Sequence, residues 1–174
     1  NSLKKQNNVN LSVVASYIHY IDTFGDTIQH LNKNFNVERR KFVKNTLKDS
    51  PSLLGKNLAK EIVYLSDLFK KKKPDILILM GDRYEILAPA TAAVPFNIPI
   101  VHFYGGAVTI GAIDELVRHG VTKMSHLHLT AHDKYSSRLV KMGEEKWRVK
   151  TVGIPEISNL RIQKNIRFEN LKKK

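Results

Sequence analysis

Short β-branched runs alternate with longer stretches of helical spacing along the 174 residues. Val9–Ser16 reads as a strand, and Asp22–Leu31 as a loop with a partial helix. Leu54, Leu58, Ile62, Leu65 and Phe69 recur at helical spacing and predict a helix over Leu53–Lys72, ended by a Lys run before Pro74. Ile76–Met80 is a continuous apolar run between Pro74 and Gly81, as in a strand buried on both faces. Glu85–Val94 is Ala-rich and helical, with Pro89 tolerable only near the first turn. Ile98–Phe103 is another buried strand, closed by Gly105-Gly106. Ile113–Met124 predicts a helix with Ile113, Leu116, Val117, Val121 and Met124 on its apolar side. A strand at Leu127–Ala131, a helix at Lys134–Met142 stopped by Gly143, and a strand at Val149–Val152 stopped by Gly153-Ile154-Pro155 complete the pattern. Such repetition predicts an α/β fold, a parallel sheet with helices on both faces.

Composition narrows the class. The length suits one domain with a real core, and 42% hydrophobic residues agree. No run of 18 apolar residues exists, so no membrane span is expected. Asn1-Ser2-Leu3-Lys4-Lys5 lacks a signal-peptide apolar stretch, and there is no cysteine for a disulfide scaffold. A cytoplasmic protein is therefore the expectation. The net charge of +13 concentrates in two segments: residues 38–75 hold 11 basic and 5 acidic groups, and residues 151–174 hold 6 and 2. A run such as Lys70–Lys73 at a helix end complements the helix dipole, and no aromatic-interleaved basic stripe accompanies it. Nucleic acid is accordingly not an expected partner.

In an open parallel sheet, ligands bind beyond the carboxyl ends of the strands. Gly81-Asp82-Arg83-Tyr84-Glu85, Tyr104-Gly105-Gly106-Ala107, Ala131-His132-Asp133 and Gly153-Ile154-Pro155 occupy such ends. An acid and an Arg directly after a buried strand face the crevice, which makes Asp82 and Arg83 candidates; the competing reading is a helix cap and a surface ion pair. Gly105-Gly106 permits either an ordinary turn or close approach to a ligand. Opposite the apolar side of the Ile113 helix lie Asp114, Glu115, Arg118, His119, Thr122 and Lys123, where spacing of four pairs Asp114 with Arg118, Glu115 with His119 and His119 with Lys123. Asp114 and Glu115 in the first turn sit beside the crevice, and carboxylates near Asp82 suit proton abstraction and return. His126-x-His128 puts two rings on one strand face, but no third ligand follows, so no metal site is assigned. No dinucleotide or P-loop motif occurs, and no cofactor is expected.

The stretch Pro74–Pro155 carries GDRYE, the frame NIPI-x-H-x-x-GG-x-x-T-x-GAIDE, and RH-x-x-TK-x-SHLH. Together these resemble the hydrolysing UDP-N-acetylglucosamine 2-epimerases of sialic-acid-type sugar synthesis. His19 and Phe24-Gly25-Asp26-Thr27 look similar to the same family more weakly. The resemblance implies one half of a GT-B-like architecture, with residues 1–158 a Rossmann-like catalytic half lacking its first strand and residues 159–174 an unplaced basic tail. It further implies an amino-terminal-domain fragment whose nucleotide-gripping second half is missing.

The implied reaction eliminates UDP across C1–C2 of UDP-N-acetylglucosamine, then adds water to release N-acetylmannosamine. Asp82 matches the family's catalytic Asp and Asp114 the acid of its GAIDE segment, with Glu115 beside it. Arg83, Arg118, His119 and Lys123 match polar positions lining or supporting the crevice, and Gly105 and Gly106 its Gly-Gly loop. Relatives commonly carry an acid around that loop, where this chain has Tyr104 and Ala107. The expected partner is the nucleotide-sugar or a close analogue, and a homo-oligomer is expected. The alternative is a truncated, catalytically inactive remnant acting as a binding or dimerising domain.

Overall fold

The computed structural model describes residues 3, 6–15, 27–35, 37–38, 50–110 and 113–155, in two compact units divided after Ser50. The weak match at His19 and residues 24–26, and the basic tail from 159, lie outside the described residues. In the first unit, β1 (Val13–Val14) and β2 (Val37–Glu38) pair in parallel, with α1 (Thr27–Asn34) between them in sequence. The ladder is shorter than the apolar run from Val9 suggested, because β2 offers it two residues of partner.

The second unit begins with α2 (Pro51–Lys72), where Pro51 occupies the first helical position and Lys70, Lys71 and Lys72 complement the dipole in the last turn. Then follow β3 (Leu77–Met80), α3 (Leu87–Ala93), β4 (Ile100–Phe103), α4 (Ile113–Met124), β5 (Leu127–Thr130), α5 (Asp133–Lys141) and β6 (Val149–Thr151). The sheet is parallel throughout in the order β3-β4-β5-β6, with Leu79 beside His102 and His102 beside His128. The α-helix expected from Glu85 starts at Leu87, after a 3-10 turn at Tyr84–Ile86. Pro89 thus falls in its first turn, where a missing N–H costs no hydrogen bond.

The core joins Leu65 and Phe69 of α2, Leu79 of β3, Ala88, Ala90, Ala92 and Ala93 of α3, Ile100 of β4, and Val117 and Val121 of α4. The small α3 side chains let α2 and α4 close on either side of it. Full burial of Ile100 or Val121 contributes about 2 kcal/mol each. No helix among the described residues is long and apolar enough to cross a membrane.

One expectation is corrected at α4. Ile113 and Leu116 are exposed, and the buried positions are Val117, Arg118, Val121 and Thr122. The helix is turned so that Arg118 faces inward, where acceptors meet both of its terminal nitrogens.

Candidate active site

The site starts where β3 leaves the sheet. Gly81 takes φ +94°, its N–H donates to the Phe103 carbonyl at 3.3 Å, and His102 Nε2–H donates to its carbonyl at 2.9 Å. These two ties to β4 set the direction of Asp82, whose side chain is 34% exposed. His102 is fully buried, and burial pushes its imidazole down to about 4, so it stays neutral with the proton on Nε2.

Arg118 reaches Asp82 from α4. One terminal nitrogen donates to Asp82 Oδ2 and to Thr109 Oγ1 at 2.6 Å; the other donates to Glu115 Oε2 and to the Ala107 carbonyl at 2.9 Å. The side chain is completely buried. Its planar fork therefore joins the end of β3, the loop before α4 and α4 itself, which a point charge could not do.

Glu115 is held from both sides. Oε2 accepts from Arg118 and from the Thr109 N–H at 3.0 Å, while Oε1 accepts from Arg138 at 2.6 Å and lies 3.2 Å from His119 Nε2. Burial acts to raise its pKa, but the Thr109 N–H and the hydrogen bond and charge of Arg138, with Arg118 behind them, hold it down to about 2. Asp114, next door, has no hydrogen-bond partner among the described residues. Arg83 is 59% exposed and pairs with the buried Glu85 at 3.0 Å.

Gly105 and Gly106 pack against α5. A Cβ on Gly106, at φ +76°, would lie 2.4 Å from the Tyr135 carbonyl oxygen, and one on Gly105 would touch His102 and Leu139. Tyr104 has φ 70° and donates its N–H to Leu129. Ala107 contributes its carbonyl, which both Arg118 and Arg138 grip.

The structure thus brings together Asp82, Glu115, Arg118 and His119, with Asp114 and Arg83 adjoining them in the chain. Lys123 is not brought to this group. It sits in the last turn of α4, bonded to the Met142 carbonyl at 2.6 Å and Glu144 at 2.7 Å. There the buried Glu144 also accepts from His128 at 3.0 Å and Arg148 at 3.1 Å. His126 instead accepts the Ile100 N–H on its Nδ1, so the two rings serve separate partners. Among the described residues no group of His, Asp and Glu is arranged to hold a metal.

Sequence reasoning missed Arg138, Thr109 and the support role of His102. The alternation Ile100-Val101-His102-Phe103 puts His102 on the Ile100 face and could have flagged it. Nothing in the spacing of α5 singles out Arg138.

Three of these groups predict acid lability. Unfolded His102 protonates near 6.5 and native His102 near 4, so the unfolded state binds more protons across that window. Stability should fall by about 3 kcal/mol as pH drops from 6.5 to 4. His128, lowered by burial, acts in the same direction. Glu115 then withdraws its contribution as pH falls from 4.5 towards 2. Denaturant midpoints at several pH values check this; a flat profile between pH 7 and 4 would contradict it.

Comparison with known proteins adds the lineage. The family described as UDP-N-acetylglucosamine 2-epimerase matches residues 1–174. Over 170 residues the chain is 35% identical to the GDP/UDP-N,N'-diacetylbacillosamine 2-epimerase (hydrolyzing) of Campylobacter jejuni, covering 98% of this chain and 43% of that protein. Identity is 30% to the UDP-N,N'-diacetylbacillosamine 2-epimerase (hydrolyzing) of Legionella pneumophila, over 91% of this chain and 42% of that one. It is 29% to the UDP-N-acetylglucosamine 2-epimerase of Neisseria meningitidis, over 84% of this chain and 38% of that one. The chain therefore spans less than half the length of these curated relatives. A crystal structure of UDP-GlcNAc 2-epimerase from Neisseria meningitidis bound to UDP-GlcNAc matches with TM-score 0.78 at 19% identity, over 99% of this chain and 44% of that one. At that identity the likeness establishes the fold, one Rossmann-like half of a GT-B-like architecture.

Proposed function

The chain belongs to the UDP-N-acetylglucosamine 2-epimerase family, and from that membership we propose that it forms the Asp82-bearing half of a hydrolysing nucleotide-sugar 2-epimerase. The observation that carries the reading is Asp82 at the carboxyl end of β3, partly open to solvent and aimed by the buried Arg118. A carboxylate there removes the C2 proton as the C1–O bond breaks; the C–H electrons become the C1=C2 bond and UDP leaves with the bonding pair. Water then adds its hydroxyl at C1, and a proton returns to C2 from the opposite face. Asp114, unbonded within the described residues, is the second proton carrier of this proposal.

Glu115 has a different part in it. A carboxylate held at about 2 by two guanidinium groups is a poor proton carrier and a good anchor. Arg118, fully buried, acts through Asp82 and not on the substrate. Arg83, exposed and steadied by Glu85, is the solvent-facing cation beside the departing diphosphate.

UDP-N-acetylglucosamine is the proposed substrate. A diacetamido nucleotide-sugar is the second reading, favoured by the relatives at 35% and 30% identity. Proton NMR with each sugar in heavy water separates them: the expected result is free UDP and a C2-inverted sugar carrying deuterium at C2. Asp82→Asn or Asp114→Asn should lower turnover at least about a hundredfold. Unchanged turnover in either variant would remove that residue from the chemistry, and no UDP release from either sugar would overturn the catalytic reading.

A further inference from the structure

Arg138 belongs to α5, outside the crevice segments, yet it grips two of the acceptors that Arg118 uses. Its Nη1 donates to the Ala107 carbonyl at 3.1 Å and its Nη2 to Glu115 Oε1 at 2.6 Å, with His119 Nε2 3.5 Å away. Arg118 donates to the same carbonyl and to the other Glu115 oxygen. Two guanidinium groups thus approach one carboxylate and one carbonyl from two helices. The neighbour of Arg138, Leu139, is fully buried and lies where Cβ atoms on Gly105 and Gly106 would touch it, so α5 is seated against the Gly-Gly turn. The fork is presented from a fixed base.

We propose that Arg138 is a positioning residue of this site: by holding Glu115 Oε1 and the Ala107 carbonyl, it leaves Arg118 able to span Glu115 and Asp82 together. The charges explain why this matters. Asp82 and Glu115 supply two negative charges, and Arg118 and Arg138 supply two positive ones. Without Arg138, one guanidinium faces two carboxylates, and the Glu115 oxygen released by Arg138 competes for the nitrogen that holds Asp82. A fork shared bidentately with Glu115 can no longer reach Asp82 in the same geometry. Asp82 then loses its aim although nothing near it has changed in sequence.

The effect on turnover rests on the epimerase reading; the effect on the two carboxylates does not. Side-chain carboxyl carbon signals of Asp82 and Glu115 are followed by NMR against pH in the intact chain, in Arg138→Gln and in Arg138→Lys. In Arg138→Gln the Glu115 midpoint is expected to climb by more than one pH unit from about 2, with a displaced Asp82 signal. Arg138→Lys keeps the charge and should recover most of both changes. Arg138→Met, which keeps the apolar stem, replaces Arg138→Gln if the latter does not fold. Where UDP release is measurable, the charge-removing variant should lower kcat about tenfold and leave KM within about twofold, with partial rescue by Lys. Glu115 and Asp82 titrating as in the native chain would overturn the proposal, as would an unchanged kcat beside altered titrations. Carboxyl signals that shift in a chain with no native turnover would support the proposal and overturn the epimerase reading alone.

Discussion

Arg118→Leu is expected to cost about 3–5 kcal/mol of folding stability, read as a fall in the urea midpoint followed by circular dichroism. Arg118 is fully buried and carries four hydrogen bonds, two of them to carboxylates from different parts of the chain. Leucine fills part of the volume but takes from Asp82 the cation that Arg118 supplies and breaks the link between β3 and α4. Glu115 suffers less, because Arg138 and the Thr109 N–H still hold it. The cost therefore comes chiefly from the charge left unpaired at Asp82, and adding Asp82→Asn to Arg118→Leu should recover a good part of it. Arg118→Lys should fall between, since an ammonium is one point and cannot span both acids. A loss below about 1 kcal/mol, or a double variant no more stable than the single, would show that Arg118 does not organise this site.

Gly106→Ala should be the next most damaging change, at about 3 kcal/mol or more. A Cβ at φ +76° is strained by about 1–2 kcal/mol before any neighbour is counted. Here it would also meet the Tyr135 carbonyl oxygen at 2.4 Å, an atom fixed in the backbone of α5, so the turn or the helix must shift. Gly105→Ala meets its nearest neighbours, His102 Nδ1 and Leu139 Cδ1, at 3.3 Å, and these side chains can yield a little; about 1 kcal/mol is expected. Gly81→Ala meets nothing within 4 Å and carries only the positive-φ strain. Thermal melts of the three variants should rank them with Gly106→Ala clearly lowest. Equal melting points would mean that the turn does not depend on its closeness to α5. The Gly-Gly pair, readable from sequence as a ligand approach or a tight turn, is here a seat for a helix.

The elements were legible because their patterns are local. Five apolar residues ahead of Gly81 mark a strand, and β3 forms there, but the expected burial on both faces is corrected: Leu79 is buried while Ile76, Ile78 and Met80 are exposed, because β3 stands at the end of the four-stranded order among the described residues. The helical spacing from Leu54 to Phe69 matches α2 over nearly its whole length. Asp82 was legible for the same reason, as an acid set directly after such a strand. α4 shows where locality fails. Its apolar residues suggested a face containing Ile113 and Leu116, but the buried side includes Arg118 and Thr122. Periodicity ranks side chains by their average cost of burial, and Arg ranks among the highest. It has no access to the distant carboxylate of Asp82, 36 residues earlier, that cancels that cost.

Sequence by itself determined the order of strands and helices along the chain, the family, and that an acid, Asp82, directly follows β3, since each is written in short-range pattern or in motif. Only the tertiary structure decided which polar groups turn inward, that Glu115 is anchored between Arg118 and Arg138, that Lys123 serves Glu144 at the far end of α4, and that Gly106 makes room for a carbonyl of α5. Those outcomes depend on pairs far apart in the chain. A buried charge takes whichever position brings its partners within hydrogen-bond reach, and that position exists only after the chain has folded.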